Sequence, residues 1–246
     1  MNRASDWTWK CKDSLVQVAA GSVTLEGNLT IPVGAPGIVL FAHGSGSSRH
    51  SPRNRYVAET LQAAGLATLL IDLLTAQEEI IDNQTRQLRF DISLLAERLI
   101  GATDWLQQNP DTRNLRIGYF GASTGAGGSL VAAAARPDAV SAVVSRGGRP
   151  DLAASALPRV QAPTLLIVGG NDPIVIELNQ QAMAQLGVEK QLEIIPGATH
   201  LFEEPGTLPE VARLASLWFQ HHFLPAEELG PHLTNINEEG TKEEIL

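Results

Sequence analysis

The chain has 246 residues and a formal net charge of −9 at pH 7, which argues against a nucleic-acid partner, since that calls for a basic footprint. No run of 18 apolar residues occurs, so no membrane span is expected, and Met1 to Asp13 lack an apolar signal core. The single cysteine, Cys11, permits no intrachain disulfide, which agrees with a cytoplasmic protein. No Cys or His stands at ligand spacing from it, so no metal is expected there.

In chain order, Val23, Leu25, Gly27, Leu29 and Ile31 alternate, as in a half-exposed antiparallel strand near a sheet edge. Gly37–Ala42 is a continuous apolar run, the mark of a strand buried on both faces, and the loop His43–Ser48 follows it. Ser51-Pro52 reads as a helix N-cap and first helical residue, with Gly65 closing that helix. Ile92, Leu95, Leu99, Ala102 and Leu106 keep a helical spacing that ends at Asn109-Pro110. Leu115–Phe120 predicts a strand, and a small-residue helix runs from Thr124 to Ala135, stopped by Pro137. Ala139–Ser145, Thr164–Val168 and Gln191–Ile195 predict three more strands, with a helix from Ile174 to Leu186 between the last two. Thr207-Leu208-Pro209-Glu210 reads as a capping box opening a last helix, with Val211, Leu214 and Trp218 on one side. The alternation predicts one α/β domain over 14–224, preceded by an extension over 1–13. An acidic, polar and flexible tail is expected over 225–246.

The chemistry gathers at strand ends. Gly121-Ala122-Ser123-Thr124-Gly125 is a G-x-S-x-G run where a strand meets a helix. That places the Ser123 hydroxyl on a sharp turn at a helix N-terminus. Alone the pattern recurs by accident in about one chain of this length in ten. Its company decides: Asp172 follows one later strand and His200 follows the next, and open α/β sheets bind ligands at such strand ends. A serine hydroxyl is a weak nucleophile, so it needs His200 to take its proton and Asp172 to hold the imidazole. Taken singly, Asp172 before Pro173 could be only a helix cap and His200 only polar surface. The order Ser, Asp, His favours the catalytic reading. An oxyanion would be met by the backbone N–H of Thr124 and of Ser45, with Gly44 and Gly46 as neighbouring alternatives. His43 reads as a structural residue that fixes this loop.

With these residues in place the chain resembles the α/β-hydrolases, in particular their dienelactone-hydrolase-like branch. The likeness rests on His43-Gly44, Gly121–Gly125, Gly170-Asn171-Asp172 and Gly197–His200, and covers 14–224. It implies an eight-stranded, mostly parallel sheet with helices on both faces, and hydrolysis of carboxylic esters or lactones without a cofactor. Dienelactone hydrolases proper carry cysteine at the nucleophile, where this chain has Ser123. The departure directs the reading toward a serine esterase.

Only about 18 residues, Arg146 to Pro163, follow the sixth strand, so no large cap domain is expected and the site should be open. Arg49, Arg53 and Arg55 follow the oxyanion loop, and Arg146 and Arg149 follow the sixth strand. Planar guanidinium forks suit a carboxylate or phosphate on a substrate. The alternative is that Arg49, Arg53, Arg146 and Arg149 pair with acids such as Asp72, Asp151 and Glu203. His221 and His222 fall at the end of the last helix, where a partly charged imidazole suits the dipole. The reading is a soluble serine hydrolase acting on a small ester or lactone. Two alternatives remain open: an acyltransferase or thioesterase on the same residues, and a non-catalytic binding homologue.

Overall fold

Runs of apolar, β-branched sequence have no face to offer water, and here they become the central strands. The computed structural model describes residues 11–224. Strands β3 (Gly37–Ala42), β4 (Ala67–Ile71), β5 (Arg116–Ala122), β6 (Val140–Arg146) and β7 (Thr164–Gly169) are buried along nearly their whole length. They pair in parallel, and β8 (Lys190–Ile195) joins β7 in parallel at one edge. At the other edge β1 (Cys11–Ala20) and β2 (Val23–Pro32) form an antiparallel hairpin, and β2 pairs antiparallel with β4. The eight strands run in the order β1-β2-β4-β3-β5-β6-β7-β8.

Six helices cover the two faces: α1 (Pro52–Ala63), α2 (Ala76–Thr85), α3 (Ile92–Gln108), α4 (Thr124–Ala135), α5 (Pro173–Met183) and α6 (Thr207–Phe223). Alternate residues of one strand serve different cores. Val143 of β6 packs in the core with Leu95 and Leu99 of α3, Leu130 of α4 and Ala182 of α5. Its neighbours Ala142 and Val144 pack in the opposite core with Val57 and Leu61 of α1 and Val211, Ala215 and Phe219 of α6. Between β6 and β7 lies a 3₁₀ segment, Pro150–Arg159, which packs on α4: a Cβ added at Gly127 would stand 3.0 Å from the Arg149 carbonyl. No described helix is long and apolar enough to cross a membrane.

Several expectations shift by small amounts. The first strand starts at Cys11 and pairs Cys11 with Pro32, so residues 11–13 belong to the sheet, and β2 lies near the edge as expected, with β1 outside it. Residues 1–10 and the tail 225–246 lie outside the described residues. Ser51 caps α1 as expected, accepting from Asn54 N–H, with Pro52 first in the helix. The capping box at Thr207 does not form. Gly206, left-handed at φ 84°, is the N-cap, and the Thr207 hydroxyl donates back to the Glu204 carbonyl at 2.8 Å. A capping box occurs instead at Thr75 and Glu78, opening α2. The dipole role expected of His222 is also overturned. Burial and the adjacent His221 push its pKa down to about 4, so its ring is uncharged at neutral pH and packs edge-on to Trp218.

Gly101 lies inside α3, where helix propensity alone favours alanine by about 1 kcal/mol. A Cβ there would stand 2.5 Å from the Cα of Ala20 in β1, a backbone atom that cannot swing aside. Gly101→Ala should therefore destabilise the protein, by about 1–3 kcal/mol in urea unfolding. A gain in stability would mean that α3 does not press on β1 this closely.

Candidate active site

The β5–α4 junction turns too sharply for ordinary backbone. Ser123 sits there at φ 51°, ψ −120°, outside the regions that non-glycine residues favour. The glycines around it make the turn possible. A Cβ at Gly121 would stand 2.5 Å from Ala126 Cα, and one at Gly125 would stand 2.3 Å from the Ala42 carbonyl oxygen. The turn is tied to the end of β6 on both sides, Ser123 N–H donating to the Arg146 carbonyl (3.3 Å) and Arg149 N–H to the Ser123 carbonyl (3.1 Å).

Asp172 and His200 come from the loops after β7 and β8, and these loops are joined by backbone. Gly170 N–H donates to Ile195 O at 2.8 Å, Asn171 N–H to Ala198 O at 2.9 Å, and the Asn171 side chain to Gly197 O at 2.9 Å. Across them His200 Nδ1 donates to Asp172 Oδ2 at 2.7 Å, which aims Nε2 at Ser123 Oγ, 3.4 Å away. The second distance is long for a hydrogen bond, as is common before substrate binds. Asp172 does stand at the N-cap of α5, but its side chain caps nothing. The arrangement can deprotonate a hydroxyl and stabilise the imidazolium that results.

The loop after β3 lies against this turn: a Cβ at Gly44 would stand 3.2 Å from Ser123 Cβ. His43 holds it from below. Its Nδ1 donates to the Gly44 carbonyl at 2.9 Å, and its Nε2 accepts from Leu73 N–H at 3.0 Å. Acceptance at Nε2 requires the neutral ring, and burial lowers its pKa below the usual 6.5. A cavity of about 120 Å³ opens beside Gly44, Ser45, Gly46, Leu73, Arg89 and Thr124. As the first residue of α4, Thr124 has an N–H with no carbonyl behind it to accept it.

The arginines divide. Arg49 is held by Asp72 through both backbone and side chain and by Glu26 at 2.6 Å. Arg53 pairs with Glu203 at 3.0 Å, and Arg149 with Asp151 at 2.7 Å. For these three the ion-pair reading is the observed one. Arg146 differs: it is 7% exposed, meets Asn54 Oδ1 at 3.4 Å and lies 5.9 Å from the centre of the Phe202 ring. Its Nε and Nη1 have no partner among the described residues, and burial with Arg53 nearby lowers its pKa to about 10. Arg89 and Asp82, which wall the cavity from α2 and the turn after it, were not anticipated. Asp82 is buried and grips the Arg89 side chain. The capping box at Thr75 was the one available signal for that helix.

Because His43 is neutral when folded and titrates near 6.5 when unfolded, the unfolded state binds more protons as the pH falls. Its contribution is complete above that value and is lost below it. The gap in urea midpoint between the protein and His43→Gln should therefore narrow from pH 7.5 to pH 5. A constant gap would mean that His43 titrates alike in both states.

Comparison with known proteins agrees with the fold. The model of the dienelactone hydrolase family matches residues 25–222. The crystal structure of a dienelactone hydrolase from Anabaena variabilis is 69% identical, covers 87% of this chain and 99% of its own, and superposes with a TM-score of 0.86. An alpha-beta serine hydrolase homologue from Coxiella burnetii shares the fold at 21% identity, with a TM-score of 0.67 over 83% of this chain and 95% of its own. A Mycobacterium tuberculosis protein named "Putative phosphoribosyl transferase" is 62% identical over 211 residues, 86% of this chain. This chain spans 47% of that relative, about half its length. With its eight-stranded sheet and its match along most of the domain, the chain belongs to the dienelactone hydrolase family of α/β-hydrolase-fold hydrolases.

Proposed function

We propose that the protein is a serine hydrolase that cleaves small carboxylic esters or lactones through an acyl-enzyme. The observation that carries this is the line from Asp172 through His200 to Ser123, with separations of 2.7 and 3.4 Å at the elbow of the fold. Ser123 Oγ attacks the carbonyl carbon while His200 Nε2 takes its proton. The oxyanion is received by the N–H groups of Thr124 and Ser45. Collapse breaks the ester bond, and His200 returns the proton to the leaving alkoxide. A water, deprotonated by the same nitrogen, then attacks the acyl-serine and releases the carboxylic acid.

The cavity beside Thr124 is smaller than the 300–1,000 Å³ typical of drug-sized ligands, which supports a small acyl group. Its walls also carry Asp72, Glu79 and Asp82 against Arg89, and Arg49, Arg53 and Arg149 are occupied by carboxylates. That balance supports an uncharged acyl group over an anionic one. The transferase name belongs to relatives twice as long, and the triad chemistry argued here supplies acyl transfer to water.

Intact-mass analysis should find one fluorophosphonate adduct on the protein and none on Ser123→Ala. Asp172→Asn, which leaves the imidazole in the wrong tautomer, should lower kcat on p-nitrophenyl acetate by about 10⁴-fold. Short neutral esters should be hydrolysed faster than their hemisuccinate counterparts. A well-folded protein that takes no adduct would remove the serine-hydrolase reading.

A further inference from the structure

At the end of the sheet opposite Ser123, the last turn of α6 brings His221 and His222 against Glu189, the residue before β8. One ligand atom from each of the three lies within 4.8 Å of the others, with His222 Nε2 3.8 Å from Glu189 Oε1. The His222 side chain is nine-tenths buried, yet its Nε2 has no hydrogen-bond partner. His221 Nδ1 is likewise buried and unpaired among the described residues. Buried ring nitrogens are normally satisfied, so two orphans on adjacent histidines beside one carboxylate ask for a reason.

We propose that Glu189, His221 and His222 bind a divalent transition-metal ion of the Zn²⁺ and Ni²⁺ class, with water completing the shell. Two imidazoles and a carboxylate suit these ions, whereas Mg²⁺ and Ca²⁺ prefer oxygen alone. With bonds of about 2.1 Å, tetrahedral ligands stand about 3.4 Å apart, close to the 3.8 Å already present between His222 and Glu189. The Glu189 side chain is 47% exposed and can swing to close the longer gaps. The bound ion would tie the end of α6 to the start of β8. His200 follows the far end of that strand, about 20 Å away by strand rise, so the ion would be structural and stay outside the chemistry.

The test is an untagged full chain, stripped with EDTA and titrated with ZnCl₂ by calorimetry, with thermal unfolding in parallel. We expect saturable one-to-one binding that raises Tm, with CaCl₂ giving neither effect. His222→Ala also removes packing against Trp218, so the decisive variants are Glu189→Gln and His221→Gln. Each should weaken Zn²⁺ binding by at least about tenfold, with fluorophosphonate labelling of Ser123 unchanged. Absence of saturable binding would overturn the proposal. So would equal affinity in the Glu189→Gln, His221→Gln double variant, which would put the ion on other histidines such as His200.

Discussion

No side chain fits at Gly125. Its missing Cβ would press to 2.3 Å on the Ala42 carbonyl and 2.5 Å on that of His43, so the first turn of α4 lies directly on the end of β3. This close approach sets everything above it. It brings the loop after β3 against the elbow, puts the Thr124 N–H beside Gly44 and Ser45, and forces Ser123 into a conformation that costs about 1–3 kcal/mol. The strain persists because the neighbours over-determine it. Ser123 is bonded through its N–H to Arg146 at the end of β6 and through its carbonyl to Arg149 just beyond it, and Gly121 leaves no slack behind it.

The rest of the site is built by the same device, loops fixed by backbone contact and buried polar bonds. Donors from Gly170 and Asn171 join the Asp172 loop to the His200 loop, so the 2.7 Å bond between their side chains needs little further ordering. His43 does the equivalent job beneath the loop after β3, joining Gly44 to Leu73 with one neutral ring. Arg49 fastens the next stretch to Asp72. Groups positioned in this way cost little reorganisation when charge develops, which is where most electrostatic catalysis comes from.

The legible parts of the sequence were those where one residue type has one physical use. Solid apolar runs announced β3, β5, β6 and β7 though not β4, the Ser51-Pro52 pair announced α1, and glycines flanking Ser123 announced the elbow. Thr207 misled because a capping box and a threonine one residue inside a helix look alike. The left-handed Gly206 separates the two, and composition does not encode that. The edge strand β1 was missed at Cys11–Asp13 because half-exposed edges tolerate polar residues. The arginines were least legible. Pairing depends on which loops meet, and nothing local distinguishes Arg149, bound to Asp151, from Arg146, buried beside Asn54 without an acid. Likewise Glu189 is far in sequence from His221 and His222, and only the pairing of β7 with β8 under α6 brings them together.

Asp172 is the residue where local and global demands conflict. It occupies the N-cap of α5, a position at which a carboxylate usually adds about 1 kcal/mol by accepting from the first turn. Here the carboxylate turns away and accepts from His200 instead. Pro173 at the first helical position has no N–H of its own to satisfy, but the next N–H groups of the turn go without this side-chain cap. A residue placed only for stability would take the cap. That Asp172 forgoes it is hard to account for unless the orientation of His200 matters more than the end of a helix. A serine makes that demand acute: its hydroxyl ionises far less readily than a thiol, so the histidine must be aimed and its tautomer fixed before any bond can form.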